Sequence, residues 1–122
     1  MERAQFIGTW RLVSWLARDA SGAQSHPYGD KPHGYIIYSE AGYMSALIQG
    51  NAGTGIPGVG LYLGYGGPFE VLEDRVVHIV ELSSFQPFVG SRQERMAQFD
   101  GDQLTLSATA DGVSHFITWK RC

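Results

Sequence analysis

From Thr9 the run TWRLVSWLARD repeats with a period of two, Trp10, Leu12, Ser14 and Leu16 falling on one face and Arg11, Val13, Trp15 and Ala17 on the other. A long first strand is predicted. Ahead of it, Glu2–Phe6 carries good helix formers and is followed by Gly8, which predicts one helical turn plugging an end of the fold. Behind it, Asp19–Gly22 and the polar run to Pro32, centred on Tyr28-Gly29-Asp30, have turn chemistry. His33–Ser39 and Gly42–Gln49 are then two strands at hairpin spacing around Glu40-Ala41.

Between Gly50 and Gly67 glycine recurs with almost no charge, which predicts a mobile flap over apolar surface rather than an interdomain linker. Five more strands follow, Phe69–Leu72, Arg75–Ser84, Arg92–Phe99, Gln103–Thr109 and Val113–Arg121. Asp100-Gly101 and Asp111-Gly112 stand where hairpin turns demand positive φ. Eight short strands at regular spacing predict an all-β, eight-stranded antiparallel up-and-down barrel over residues 1–122, a single domain with a short N-terminal helical turn. Such a barrel is filled by its own side chains or holds one small ligand.

Composition narrows the function. The 16 glycines are roughly twice the usual share, in keeping with many tight turns. A net charge of −3 without a basic, aromatic-laced patch argues against nucleic acid as a partner. No stretch approaches the ~18 apolar residues of a membrane span and no signal-like segment opens the chain, so no membrane partner and a cytoplasmic location are expected. The lone Cys122 allows no internal disulfide. His26, Asp30 and His33 have mixed spacing on a turn and no cysteine beside them, which is poor metal-ligand chemistry, so neither metal nor cofactor is expected.

The strand after Glu73-Asp74 places His78 among Val76, Val80 and Leu82, alternating with Arg75, Val77, Ile79 and Glu81. An imidazole in such company needs hydrogen-bond partners, and its face marks the centre of a pocket. In the catalytic reading His78 moves a proton while Arg95, with a tyrosine such as Tyr38 or Tyr43, holds an oxygen of the substrate. In the bland reading His78 bonds a tyrosine or a carbonyl and stabilises the barrel. Arg95 shares a face with Gln93, Ala97 and Phe99, pointing inward or outward according to register.

An aromatic supply beyond the needs of a small core suits an oxygenated hydrophobic ligand. Tyr35, Tyr43, Tyr65, Phe69 and Phe88 are candidates for its wall, as are Trp10 and Trp119; Tyr35 and Tyr38 cannot face the same side. His115 alternates with Ile117 and Trp119 and shares the interior with His78 in this scheme. There is no Gly-x-Ser-x-Gly and no phosphate-binding loop.

Gly8-Thr9-Trp10-Arg11-Leu12-Val13-Ser14, Gly34-Tyr35-Ile36-Ile37-Tyr38, Gly42-Tyr43-Met44-Ser45-Ala46 and Tyr65-Gly66-Gly67-Pro68-Phe69-Glu70-Val71, with His78, Gly90, Arg95 and Trp119-Lys120-Arg121, resemble the bacterial and fungal lipocalin-like domains. Gln49–Tyr62 departs from that pattern. The resemblance implies Trp10 across the closed end of a barrel with Arg121 stacked upon it, a contact worth about 1 kcal/mol when partly desolvated. It also implies a small-molecule pocket, in proteins that range from binders to enzymes that isomerise or cyclise natural-product intermediates. Three expectations follow: a cofactor-free isomerase or cyclase, a non-catalytic carrier or sensor, or a filled barrel forming a homodimer through Val13, Trp15 and Val77.

Overall fold

The computed structural model describes residues 1–122 as one antiparallel sheet closed on itself. Its strands are β1 (Gly8–Arg18), β2 (Gln24–Ser25), β3 (His33–Tyr38), β4 (Tyr43–Gln49), β5 (Tyr62–Val71), β6 (Arg75–Ile79), β7 (Leu82–Ser83), β8 (Arg92–Asp100), β9 (Gln103–Ala110) and β10 (Val113–Arg121). Eight of them pair in the order β1, β3, β4, β5, β6, β8, β9, β10, and β10 returns to β1 to shut the barrel. β2 and β7 are short additions to β1 and β5. The expected eight-stranded meander is therefore the observed one. At the β9–β10 turn Asp111 (φ 52°) and Gly112 (φ 77°) both take the left-handed conformation that a two-residue hairpin requires.

The helical turn α1 (Arg3–Phe6) closes one end. Phe6 is fully buried, meets Tyr38 and Phe99 edge-on, and accepts a hydrogen bond on its carbonyl from Trp10 Nε1 at 2.9 Å. Arg121 lies over the Trp10 ring at 4.1 Å and donates to the carbonyls of Ile7 (2.8 Å) and Gln5 (2.6 Å). The guanidinium thus joins the last strand to the plug, and satisfies carbonyls that a four-residue helix leaves without partners.

Two irregularities of register decide which side chains face inward. Along β1, Leu12 pairs with Trp119 but Ser14 pairs with Thr118, so one extra residue bulges at Val13. The alternation is reset there: Trp10 and Leu12, then Trp15 and Ala17, are all buried, whereas unbroken alternation put Trp15 on the opposite face from Trp10. The second slip lies between Phe69↔His78 and Gly66↔Leu82. It turns Leu82 outward, 76% exposed, instead of beside His78, and divides the expected Arg75–Ser84 strand into β6 and β7. Of the three residues expected to form an outer subunit contact, only Val13 is exposed; the bulge buries Trp15, and Val77 is fully covered.

The glycine-rich stretch is loop only in its first part. Tyr62–Gly67 belongs to β5 and pairs along β4 from Gln49 to Met44, so it is wall and not flap. Its glycines permit close backbone approach: a Cβ at Gly66 would lie 3.0 Å from the Met44 carbonyl oxygen, and one at Gly67 would collide with the carbonyl of Ile79. What remains is the loop 50–61, which leans Ile56 and Val59 against the core.

Candidate binding cavity

Beyond the core that surrounds Trp10 and Phe6, the barrel encloses a cavity of about 390 Å³. That is within the range of small-ligand sites, toward its lower end. Alternate positions of the strands supply its wall: Ile36 from β3, Ile48 from β4, Leu63 and Tyr65 from β5, Leu106 and Ala108 from β9, and His115, Ile117 and Trp119 from β10. Trp15 joins them because of the bulge. Phe88 enters from the single 3₁₀ turn Gln86–Phe88, and Ile56 and Val59 from the 50–61 loop. Exposed Thr109 and Ala110 mark the rim.

His78 stands on one side of this space, fully buried and held at both ring nitrogens. Nε2 is 2.7 Å from the Tyr38 hydroxyl and Nδ1 is 2.8 Å from the Tyr65 hydroxyl. The direction of this chain follows from its inner end. The Tyr38 hydroxyl has no hydrogen-bond partner but Nε2, so it must donate, since accepting would leave its own proton unbonded in the core. The ring proton is then on Nδ1, donated to the Tyr65 oxygen, and the Tyr65 O–H is free for an acceptor in the cavity.

Burial, with a smaller contribution from the Arg95 charge, pushes His78 down to about 3, so the ring is neutral at pH 7. Burial raises Tyr38 well above the usual phenol range, with the Tyr65 hydroxyl adding and Arg95 opposing, and it raises Tyr65 as well. His115 is lowered, again by burial first and Arg95 second. Its Nδ1 accepts the Trp15 indole N–H at 3.0 Å, and because indole can only donate, the neutral ring carries its proton on Nε2.

The structure brings six sequence candidates to the cavity: His78, Arg95, Tyr65, Phe88, His115 and Trp119. Arg95 faces inward together with Gln93, opposite Val76. Tyr38 lies behind His78, out of the cavity's reach, and Trp10 and Phe69 are closed-end core. Tyr35 and Tyr43 stand on the outer face, 43% and 53% exposed, because they fall on the alternate positions of β3 and β4 from buried Ile36, Tyr38 and Met44. Neither lines the cavity.

Sequence reasoning missed Trp15. A signal existed: Trp10 and Trp15 are an odd number apart, and burying both indoles requires a bulge between them. No three His, Cys, Asp or Glu side chains come together in a group suited to a metal ion, and His26 instead lies 3.3 Å from the Trp15 carbonyl. No helix is long and apolar enough to cross a membrane.

Fold and cavity together define a small closed β-barrel with an internal binding site. The family profile described as a lipocalin-like domain matches residues 7–55 and 59–122, and the chain belongs to that family. A curated relative, the 4'-hydroxy-3'-methoxypropiophenone carrier protein ppsC of Aspergillus oryzae (strain ATCC 42149 / RIB 40), is 35% identical over 74 residues, covering 49% of this chain and 67% of that protein. No solved structure matches.

Proposed function

We propose that the protein carries a small, largely apolar, oxygen-bearing molecule, with an aromatic ring held among Trp15, Tyr65, Phe88 and Trp119. The observation behind this reading is the 390 Å³ cavity, walled mainly by apolar side chains with a few polar groups at one side. The relative named as carrier of an aryl ketone supports the same ligand class. Carriage is favoured over catalysis by His78: a proton-transfer group for neutral pH needs a free nitrogen and a pKa near 7, and this ring has neither. Native mass spectrometry of the purified protein tests the reading. A co-purified molecule of a few hundred daltons that is lost on denaturation supports it, and a protein that neither retains nor rebinds any small aryl ketone or aryl-bearing carboxylate overturns it.

The second reading, a cofactor-free isomerase or cyclase, is favoured by the Tyr38–His78–Tyr65 chain, which backs a phenolic proton facing the cavity beside Arg95. An enzyme that enolises its ligand would exchange the α-protons of a bound aryl ketone with D2O, and would lose that exchange in His78→Ala. A carrier leaves those protons in place in both.

A further inference from the structure

The polar groups of the cavity are unevenly matched. Arg95 spends two of its five N–H groups on the Glu94 carbonyl (3.0 Å) and Gln93 Oε1 (2.9 Å), leaving three. It forms no ion pair. The ion pairs of the molecule are Arg75 with Asp74 and Glu94, Arg92 with Glu70 and Lys120 with Asp102, all on the outer surface.

Most side-chain acceptors in the wall are already engaged or turned away from it. Glu94 reaches the wall but directs its carboxylate out to Arg75 at 3.3 Å. Gln93 gives its oxygen to Arg95 and its amide N–H to Ser91 Oγ, and Thr109 at the rim bonds Ser114. His115 Nδ1 and both nitrogens of His78 are occupied as described. What remains for a guest are donors, namely the Arg95 guanidinium, the Tyr65 O–H and the His115 Nε2–H. The wall also holds the buried Trp119 indole N–H, for which the protein supplies no acceptor.

We propose that the guest is an organic anion, a carboxylate, phenolate or enolate on an apolar body, whose ionised oxygen is held by Arg95 and whose remaining acceptors meet the neighbouring donors. Arg95 is a half-buried guanidinium at the side of a largely apolar hollow whose one carboxylate, Glu94, is paired with Arg75; it lacks a counterion there, and a neutral guest would leave it so. The Arg95 charge also bears on His78, His115, Tyr38 and Tyr65, placing positive potential on the polar side of the cavity. This rests on the reading that the cavity binds a small molecule, and sharpens the class of that molecule.

Trp15 and Trp119 in the wall make tryptophan fluorescence a direct readout. The full chain and its Arg95→Gln variant, each checked for native circular dichroism, are titrated at pH 7 with 4-phenylbutyrate, its methyl ester and the neutral ketone 4-phenylbutan-2-one. The parent is expected to bind the carboxylate at least tenfold more tightly than the ester. In Arg95→Gln that preference disappears, chiefly because the carboxylate loses about tenfold or more in affinity. Ester or ketone binding as tightly as the carboxylate in the parent overturns the anion proposal and leaves the carrier reading standing, as does a preference that survives in Arg95→Gln. Binding of none of the three removes the carrier reading and the anion proposal together.

Discussion

Acid should weaken this fold through His78 in a way that can be isolated. In the unfolded chain its imidazole titrates near 6.5, whereas in the barrel it is held down to about 3, so between those values the unfolded state binds the additional proton. Stability therefore rises with pH across that window and is lost as pH falls, with a slope of up to about 1.4 kcal/mol per pH unit from this one group. From pH 6.5 to pH 4 the loss amounts to about 3 kcal/mol, a large part of the net stability of a small domain. The comparison is with His78→Gln, which keeps a polar side chain but cannot titrate. Urea unfolding at half-unit steps from pH 7 to pH 4 gives both curves. The carboxylates and His115 titrate in parent and variant alike, so the difference isolates the imidazole. The variant starts less stable at pH 7, and the gap should close toward pH 4. Curves that stay parallel would show that the ring takes up its proton at little cost, and the buried, doubly bonded imidazole described above would be wrong.

The direction of the tyrosine chain predicts unequal costs. Tyr38→Phe strips a fully buried nitrogen of its donor and should lower stability by about 1–3 kcal/mol, while Tyr65→Phe leaves the Nδ1–H beside a cavity that water can enter and should cost less; urea midpoints that rank the two variants the other way refute the assignment. Arg121→Met removes two hydrogen bonds and the contact over Trp10, so a loss of about 1–2 kcal/mol is expected together with faster amide exchange at residues 3–7. Gly67→Ala drives a methyl into the Ile79 carbonyl, and a drop in stability of more than about 2 kcal/mol, or failure to fold, is expected from thermal melts.

The strands of this barrel were legible wherever alternation was clean. β3 and β4 read correctly because Ile36, Tyr38, Met44, Ala46 and Ile48 bury one face without interruption. The alternation carries no count of residues on the opposing strand, so the slips at Val13 and between Phe69 and Gly66 could not be read from either strand alone. Each misplaced a residue, Trp15 in one case and Leu82 in the other. Glycines in the 50–67 run look alike in sequence, and only the partner backbone shows that 64, 66 and 67 stand where strands approach closely while 53, 58 and 60 sit in open loop. His78 was legible as a pocket-side residue because its neighbours at two-residue intervals are aliphatic. That it would bond a tyrosine was among its expected roles, but which two tyrosines meet it was not legible, since they arrive from β3 and β5 and their pairing depends on closure of the sheet.

The extra residue at Val13 separates two tasks that a regular strand would tie together. Ahead of it, β1 contributes Trp10 and Leu12 to the sealed base; past it, the same strand offers Trp15 and Ala17 to the upper half of the barrel. Substitutions at 15 can thus reshape what the barrel admits without disturbing the base. Deleting residue 13 would pair Leu12, Ser14 and Trp15 with Trp119, Thr118 and Ile117 without a break, so Trp15 would still face inward, but on a regular strand whose two halves can no longer shift independently.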